Sequence, residues 1–172
     1  MISTHRFPMT DMKINGWTIY LHPLFTDALG AMIEEVRKAR ETDPDNYRSK
    51  RCAKLLAATR KMAFEEIPRN PADPRFRQGG TLGETYKHWF RGKYAQQYRL
   101  FFRFHEAHRS IVLVWVNDED TKRAYGSRTD AYAVFAKMLN REYPPDDWAA
   151  LVAQAEAEMR TADVQEMISR DV

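Results

Sequence analysis

One cysteine, Cys52, stands in 172 residues, so no internal disulfide can staple this chain and a reducing compartment is expected. No apolar run reaches about 18 residues, which argues against a membrane-spanning helix. The opening stretch MISTHRFPMTDMK has no apolar segment of the kind a secretory signal needs, so a cytoplasmic location is expected. Glycine is sparse, and Gly79, Gly80 and Gly83 fit neither a phosphate-loop nor a dinucleotide fingerprint. No G-x-S-x-G nucleophile motif occurs. The histidines (His5, His22, His88, His105, His108) lack ligand spacing on a helix, so neither a metal nor another cofactor is expected. The acidic run Asn117-Asp118-Glu119-Asp120 reads as a polar loop that caps the next turn rather than as a Mg²⁺ site.

What is present is charge of uneven distribution. The net charge is +3, but residues 75–141 hold 13 Lys/Arg against 6 Asp/Glu, and residues 142–172 hold 2 against 8. A basic body with an acidic tail suits a polyanionic ligand. The tail is expected to solubilise the body or to fold across its basic face.

The stretch WFRGKYAQQYRLFFRFHEAHRSIVLVWVN, residues 89–117, organises the rest. It predicts three antiparallel strands over 89–94, 98–104 and 110–117. In the second, Tyr98, Leu100, Phe102 and Phe104 fall on one face, and Arg99, Phe101, Arg103 and His105 on the other. The third is apolar without a break, as a central strand buried on both faces would be. In the first, Trp89, Arg91 and Lys93 share a face.

Ahead of this block, residues 1–13 read as a flexible N-terminus, and WTIYL as a short strand ended by Pro23. A helix is predicted over 23–41 from the spacing of Phe25, Leu29, Met32, Ile33 and Val36. A second is predicted to start at an Asp43 cap, carry Leu55, Leu56, Met62 and Ala63 as its stripe, and end at Pro68 and Pro71. Its bases, Arg48, Lys50, Arg51, Lys54, Arg60 and Lys61, read as a solvated face. Helices follow over 130–140 and 147–159, and the last dozen residues have little to bury. The fold class is α+β: an antiparallel twisted sheet with a helical hairpin on one face and C-terminal helices. The domain spans 14–143, with 144–172 an acidic helix and tail.

The candidate site is cationic. Arg91 and Lys93 on one strand, Arg99 and Arg103 on the next, and Arg123 with Tyr125 beyond the third could converge on one sheet face. Arginine suits a phosphodiester because its planar fork donates paired hydrogen bonds and keeps its charge. The same donors can stabilise a phosphorane-like transition state. Lys93, among arginines, suits a general base toward a ribose 2′-hydroxyl, and Tyr125 suits stacking or proton transfer.

The segments NGWTIYLHP, DPDNYRSK, YRLFFRF, W-x-NDE-x-T-x-R-x-YG, TDAY-x-VF-x-KML and Pro-Pro-x-Asp-Trp together resemble the YhaV toxin family, from residue 15 to residue 148. That resemblance implies a RelE-like α+β toxin, the ribonuclease of the PrlF–YhaV type II toxin–antitoxin system. It further implies metal-independent cleavage of mRNA, typically on the ribosome, by 2′-hydroxyl attack, and neutralisation by a PrlF-type antitoxin that binds promoter DNA. Residue by residue, it implies Arg91, Lys93, Arg99 and Tyr125 as catalytic. Where RelE-like chains often carry a base after the last strand, this one has Asp118, Glu119 and Asp120, which leaves the general acid to Arg123 or Glu119. Arg103, Arg123 and Glu119 are the expected substrate-binding residues. Three activities stay open: an endoribonuclease, a non-cleaving binder of RNA or ribosome, and a co-repressor acting with the antitoxin.

Overall fold

Asn15 and Gly16 take positive φ, 51° and 79°, and so close a two-residue hairpin between β1 (Met12–Ile14) and β2 (Trp17–Leu21) in the computed structural model. The structure describes residues 11–169. Strand β1 takes Met12 and Lys13 out of the flexible N-terminus expected from the sequence; residues 1–10 lie outside the described residues.

After β2 come α1 (Pro23–Thr42) and α2 (Arg51–Lys61), which continues through a π-turn (Met62–Glu66) into α3 (Ile67–Arg69). The strands β3 (Phe90–Tyr94), β4 (Tyr98–His105) and β5 (Ser110–Val116) follow, then α4 (Ala131–Asn140), α5 (Trp148–Met159) and α6 (Ala162–Ser169). The sheet order is β1-β2-β5-β4-β3. The expected α+β class holds, with one refinement: β2 pairs parallel with β5, so the sheet is mixed. A parallel pair needs a long crossover, and the chain between these strands supplies it.

The alternation read in β4 is present. Leu100 and Phe102 belong to the core under α1 and α2, and Phe101 to the core under α4 and α5. Strand β5 is central, with Ile111 and Leu113 facing the first core and Val112 and Val114 the second. A bulge lies between the pairs Phe101–Trp115 and Phe102–Leu113 and leaves Val114 unpaired. The displaced Trp115 stacks on Phe101 and Phe135 at 5.9 and 5.7 Å. Burying each such side chain stabilises the fold by about 1.5–3 kcal/mol.

Two expectations on the helices are corrected. Asp43 closes α1 rather than opening α2: its N–H donates to the Ala39 carbonyl, and α2 begins only at Arg51. The reason is Pro44, which cannot continue a helix and disfavours helical backbone at the residue before it. The last residues do bury surface. In α6, Val164 is 1% exposed, and Met167 and Ile168 pack on the core beside α1. The tail's helix thus lies on the α1/α2 face and does not cross the face that carries Arg91 and Arg99. Among the described residues no helix is long and apolar enough to cross a membrane.

Candidate active site

The register of β3 and β4 sets Lys93 opposite Arg99 and Arg91 opposite Phe101. Residues directly opposite in an antiparallel pair share a face, so Arg91, Lys93 and Arg99 lie together on the α4 side. Lys93 is exposed, whereas Arg91 and Arg99 are only 7% and 8% exposed.

What holds these two guanidiniums is unusual for buried cations. Arg91 donates from Nε to the Tyr132 phenol at 2.8 Å and from Nη1 to the Arg75 carbonyl at 2.9 Å. Arg99 donates from Nε to the same phenol at 3.2 Å, and from Nη1 to the carbonyls of Gln96 and Tyr98, both at 2.9 Å. Every acceptor is neutral, and among the described residues neither arginine has a carboxylate partner. No hydrogen bond engages either Nη2 among these residues. Since no buried side-chain nitrogen or oxygen there is without a partner, both Nη2 atoms must reach solvent. Burying a charge without a counter-charge costs on the order of several kcal/mol, a cost that an anion at the cluster would offset.

The β3–β4 turn adds strain beside it. Ala95 and Gln96 have φ of 46° and 64°, a region side chains adopt at a cost. Arg99 Nη1 offsets part of that cost by binding the Gln96 carbonyl.

The loop after β5 is tied to the cluster by two buried side chains. Asn117 accepts the Arg99 N–H at 2.7 Å and donates to the carbonyls of Gln97 and Thr121, both at 3.0 Å. Asp130 accepts from Arg123 Nη1 at 2.6 Å and from the Ala124 N–H at 2.7 Å, and caps α4 at the Tyr132 N–H. The Arg123 guanidinium carbon sits 4.9 Å from the Tyr132 ring centre and 5.4 Å from that of Tyr125. Tyr125 is 94% exposed at the rim. The acidic run is a cap, as expected: Asp118 accepts from the Asp120 N–H and closes a capping box with Thr121.

Two candidates lie elsewhere. Arg103 is four positions further along β4, its guanidinium between the Trp89 and Trp148 rings at 5.4 and 5.5 Å and bonded to the Asp146 carbonyl. Burial pushes its basicity below the usual arginine range. It fastens the start of α5 to the sheet. Glu119 is on the α1/α2 side, bonded to the Tyr98 phenol at 2.8 Å and paired with Lys122 at 2.6 Å and Arg51 at 2.9 Å. The Lys122 bond, then that of Tyr98, holds its carboxyl below the ordinary range, and burial pushes the Tyr98 phenol up. Of the two candidate acids, Arg123 shares the arginine face and Glu119 does not. Among the described residues no three His, Cys, Asp or Glu side chains gather as metal ligands.

Sequence reading missed Tyr132, Asn117 and Asp130. Tyr132 falls on the apolar stripe of its helix, and a phenol there reads as core. A signal was available: a buried tyrosine needs a partner for its hydroxyl.

Residues 19–156 match the model of a family described as a toxin with endonuclease activity, of a toxin–antitoxin system. Among curated proteins, the chain is 47% identical over 146 residues to the Ribonuclease toxin YhaV of Escherichia coli strain K12, covering 84% of this chain and 95% of that one. The Toxin YhaV proteins of Escherichia coli O6:H1 and O157:H7 match with the same identity and coverage. No solved structure matches.

Proposed function

The chain belongs to the YhaV toxin family, toxins with endonuclease activity in toxin–antitoxin systems, and from that premise we propose that its arginine face binds and cleaves mRNA. The observation that carries this reading is the pair of buried guanidiniums, Arg91 and Arg99, with neutral acceptors and, among the described residues, no carboxylate partner. A phosphodiester supplies the missing anion.

In this reading the scissile phosphate sits on the solvent-facing ends of Arg91 and Arg99. The amine of Lys93 takes the proton of the 2′-hydroxyl, whose oxygen attacks the adjacent phosphorus. The bond from phosphorus to the 5′-oxygen breaks, and that oxygen takes a proton from Arg123 or Tyr125. The products are a 2′,3′-cyclic phosphate and a 5′-hydroxyl. No metal is needed, because the guanidiniums meet the extra charge of the transition state. Exposed Tyr125 would stack on a base of the RNA. The reading places the reaction in the cytoplasm on ribosome-bound mRNA, with a PrlF-type antitoxin as the neutralising partner. Promoter DNA is reached only through that antitoxin.

The test is induction of the wild type and of Arg91→Ala without antitoxin, with growth followed and RNA 5′ ends mapped. New 5′-hydroxyl ends with the wild type, lowered about 10²–10³-fold in the folded variant, are expected for the loss of one such donor. Growth arrest without new ends would instead point to a non-cleaving inhibitor bound to the ribosome. Undiminished cutting by the variant would move the site off this face.

A further inference from the structure

Backbone pairing of β4 with β5 ends at Leu100 and Val116. One step further, a side chain takes over. Asn117 is fully buried, and its Oδ1 accepts the Arg99 N–H at 2.7 Å. Its Nδ2 donates to the Gln97 carbonyl in the β3–β4 turn and to the Thr121 carbonyl in the loop after β5, both at 3.0 Å. The same turn and loop meet again beside it. The Gln97 carbonyl accepts the Arg123 N–H at 3.1 Å, and Gln97 Nε2 donates to the Arg123 carbonyl at 3.3 Å.

A carboxamide is the group this position needs. It faces one N–H and two carbonyls, and it offers one acceptor and two donors. A carboxylate would set negative oxygen against both carbonyls, and a hydroxyl has only one hydrogen to give. The three segments it joins all lead to the candidate site. Arg99 is one of the two buried cations. The turn, with positive φ at Ala95 and Gln96, holds the Arg99 guanidinium through the Gln96 carbonyl. The loop runs on to Arg123 and Tyr125.

We propose that Asn117 is a positioning residue of the cleavage site: its carboxamide joins the β3–β4 turn, the Arg99 backbone and the 118–125 loop into one body. This rests on the RNA-cleavage reading above. Asn117 touches no substrate in this scheme. It acts through Arg99 on one side and through Arg123 and Tyr125 on the other, and so fixes the spacing between a phosphate-binding cation and the proton donors. Its loss leaves every charge in place but frees their relative positions. Small misplacements of that kind act on the chemical step more than on binding.

The experiment compares the wild type, Asn117→Ala, Val164→Ala and Arg91→Ala on an mRNA substrate, with and without ribosomes, and reads kcat per folded molecule. It also measures affinity for an RNA oligonucleotide carrying a 2′-deoxy residue at the cleavage position. Asn117→Ala is expected to lower kcat about a hundredfold, the scale of a misplaced reacting group. Its affinity for the 2′-deoxy oligonucleotide is expected to stay within about threefold, because the cations remain. Val164→Ala weakens the core on the opposite face and is expected to lower the urea midpoint with kcat unchanged, so lost stability alone does not mimic the effect. If Asn117→Ala does not fold, amide hydrogen exchange in the wild type decides. The Arg99 and Arg123 amides are expected to open together, as one cooperative unit. An Arg123 amide that exchanges like a free loop while that of Arg99 stays protected overturns the proposal. So does a loss in Asn117→Ala that falls wholly on affinity. Full activity in Asn117→Ala with none in Arg91→Ala sinks this proposal alone. Full activity in both sinks the site reading beneath it.

Discussion

Arg91 and Arg99 illustrate how acceptor chemistry, rather than position alone, shapes a cationic site. Their partners are carbonyls and a phenol, so their hydrogen bonds are satisfied while their charge is not. Arg123 shows the contrast: it is on the same side, but Asp130 at 2.6 Å neutralises it and makes it a brace for the loop carrying Tyr125. On the reverse of β3, Gly92 is fixed by space. A Cβ there would lie 2.4 Å from Met62 Sδ and 2.9 Å from its Cγ. Met62 is buried, so it cannot swing away freely. Gly92→Ala is expected to destabilise the fold by about 1–3 kcal/mol, the usual cost of overpacking, as read from the urea midpoint. An unshifted midpoint would mean that the π-turn over Met62 yields more easily than its packing implies.

Among the elements, α1 is joined to α5 by the buried His22 at its start and by Thr26, whose hydroxyl donates to Glu158 at 2.9 Å. His22 caps α1 by accepting the Leu24 N–H at Nδ1, so its proton is on Nε2, which donates to Gln154 of α5 at 2.8 Å. Burial lowers its pKa from 6.5. The sign of the pH effect follows. As pH falls through 6.5 the unfolded chain takes up a proton that the folded chain refuses, so the unfolded state gains. The stability that neutral His22 contributes is present above 6.5 and is lost on acidification toward its folded pKa. Urea midpoints at pH 7.5 and 5.5 check this. The margin of the wild type over His22→Asn, which retains a capping side chain, is expected to shrink at the lower pH. A margin that grows would show that His22 is charged in the fold.

At the scale of the whole molecule, the sheet divides two tasks. One face, under α1, α2 and α6, holds a core with no part in the arginine cluster. The other, under α4 and α5, carries core and site together. The acidic C-terminal helix α6 packs on the first face, with Val164 1% exposed. Removal of residues 162–172 is therefore expected to act on stability. The loss of one buried valine alone is about 1.5–3 kcal/mol, while RNA affinity should remain within about twofold. A rise in affinity without a loss of stability would show instead that the tail screens the basic face.

The amino-acid pattern by itself determined which residues point together. Period-two alternation placed Arg91 with Lys93 and Arg99 with Phe101, and an unbroken apolar run marked β5 as central. Helical spacing of apolar residues located α1, α4 and α5. These are local properties, set by the backbone repeat over a few residues. What lies against each face is not local. Tyr132 reaches Arg91 and Arg99 across 41 and 33 positions of chain, and from its own helix it reads as core. Glu119 and Arg123 are close in sequence, yet they bond on opposite sides of the sheet, to Tyr98 and to Asp130. Arg103 shares the face of Arg99 but meets two tryptophans and a carbonyl instead of the phenol. The parallel pairing of β2 with β5 likewise depends on the crossover between them. Periodicity orients a side chain; only the packing of distant elements decides which partner it finds, and therefore which charges remain free for chemistry.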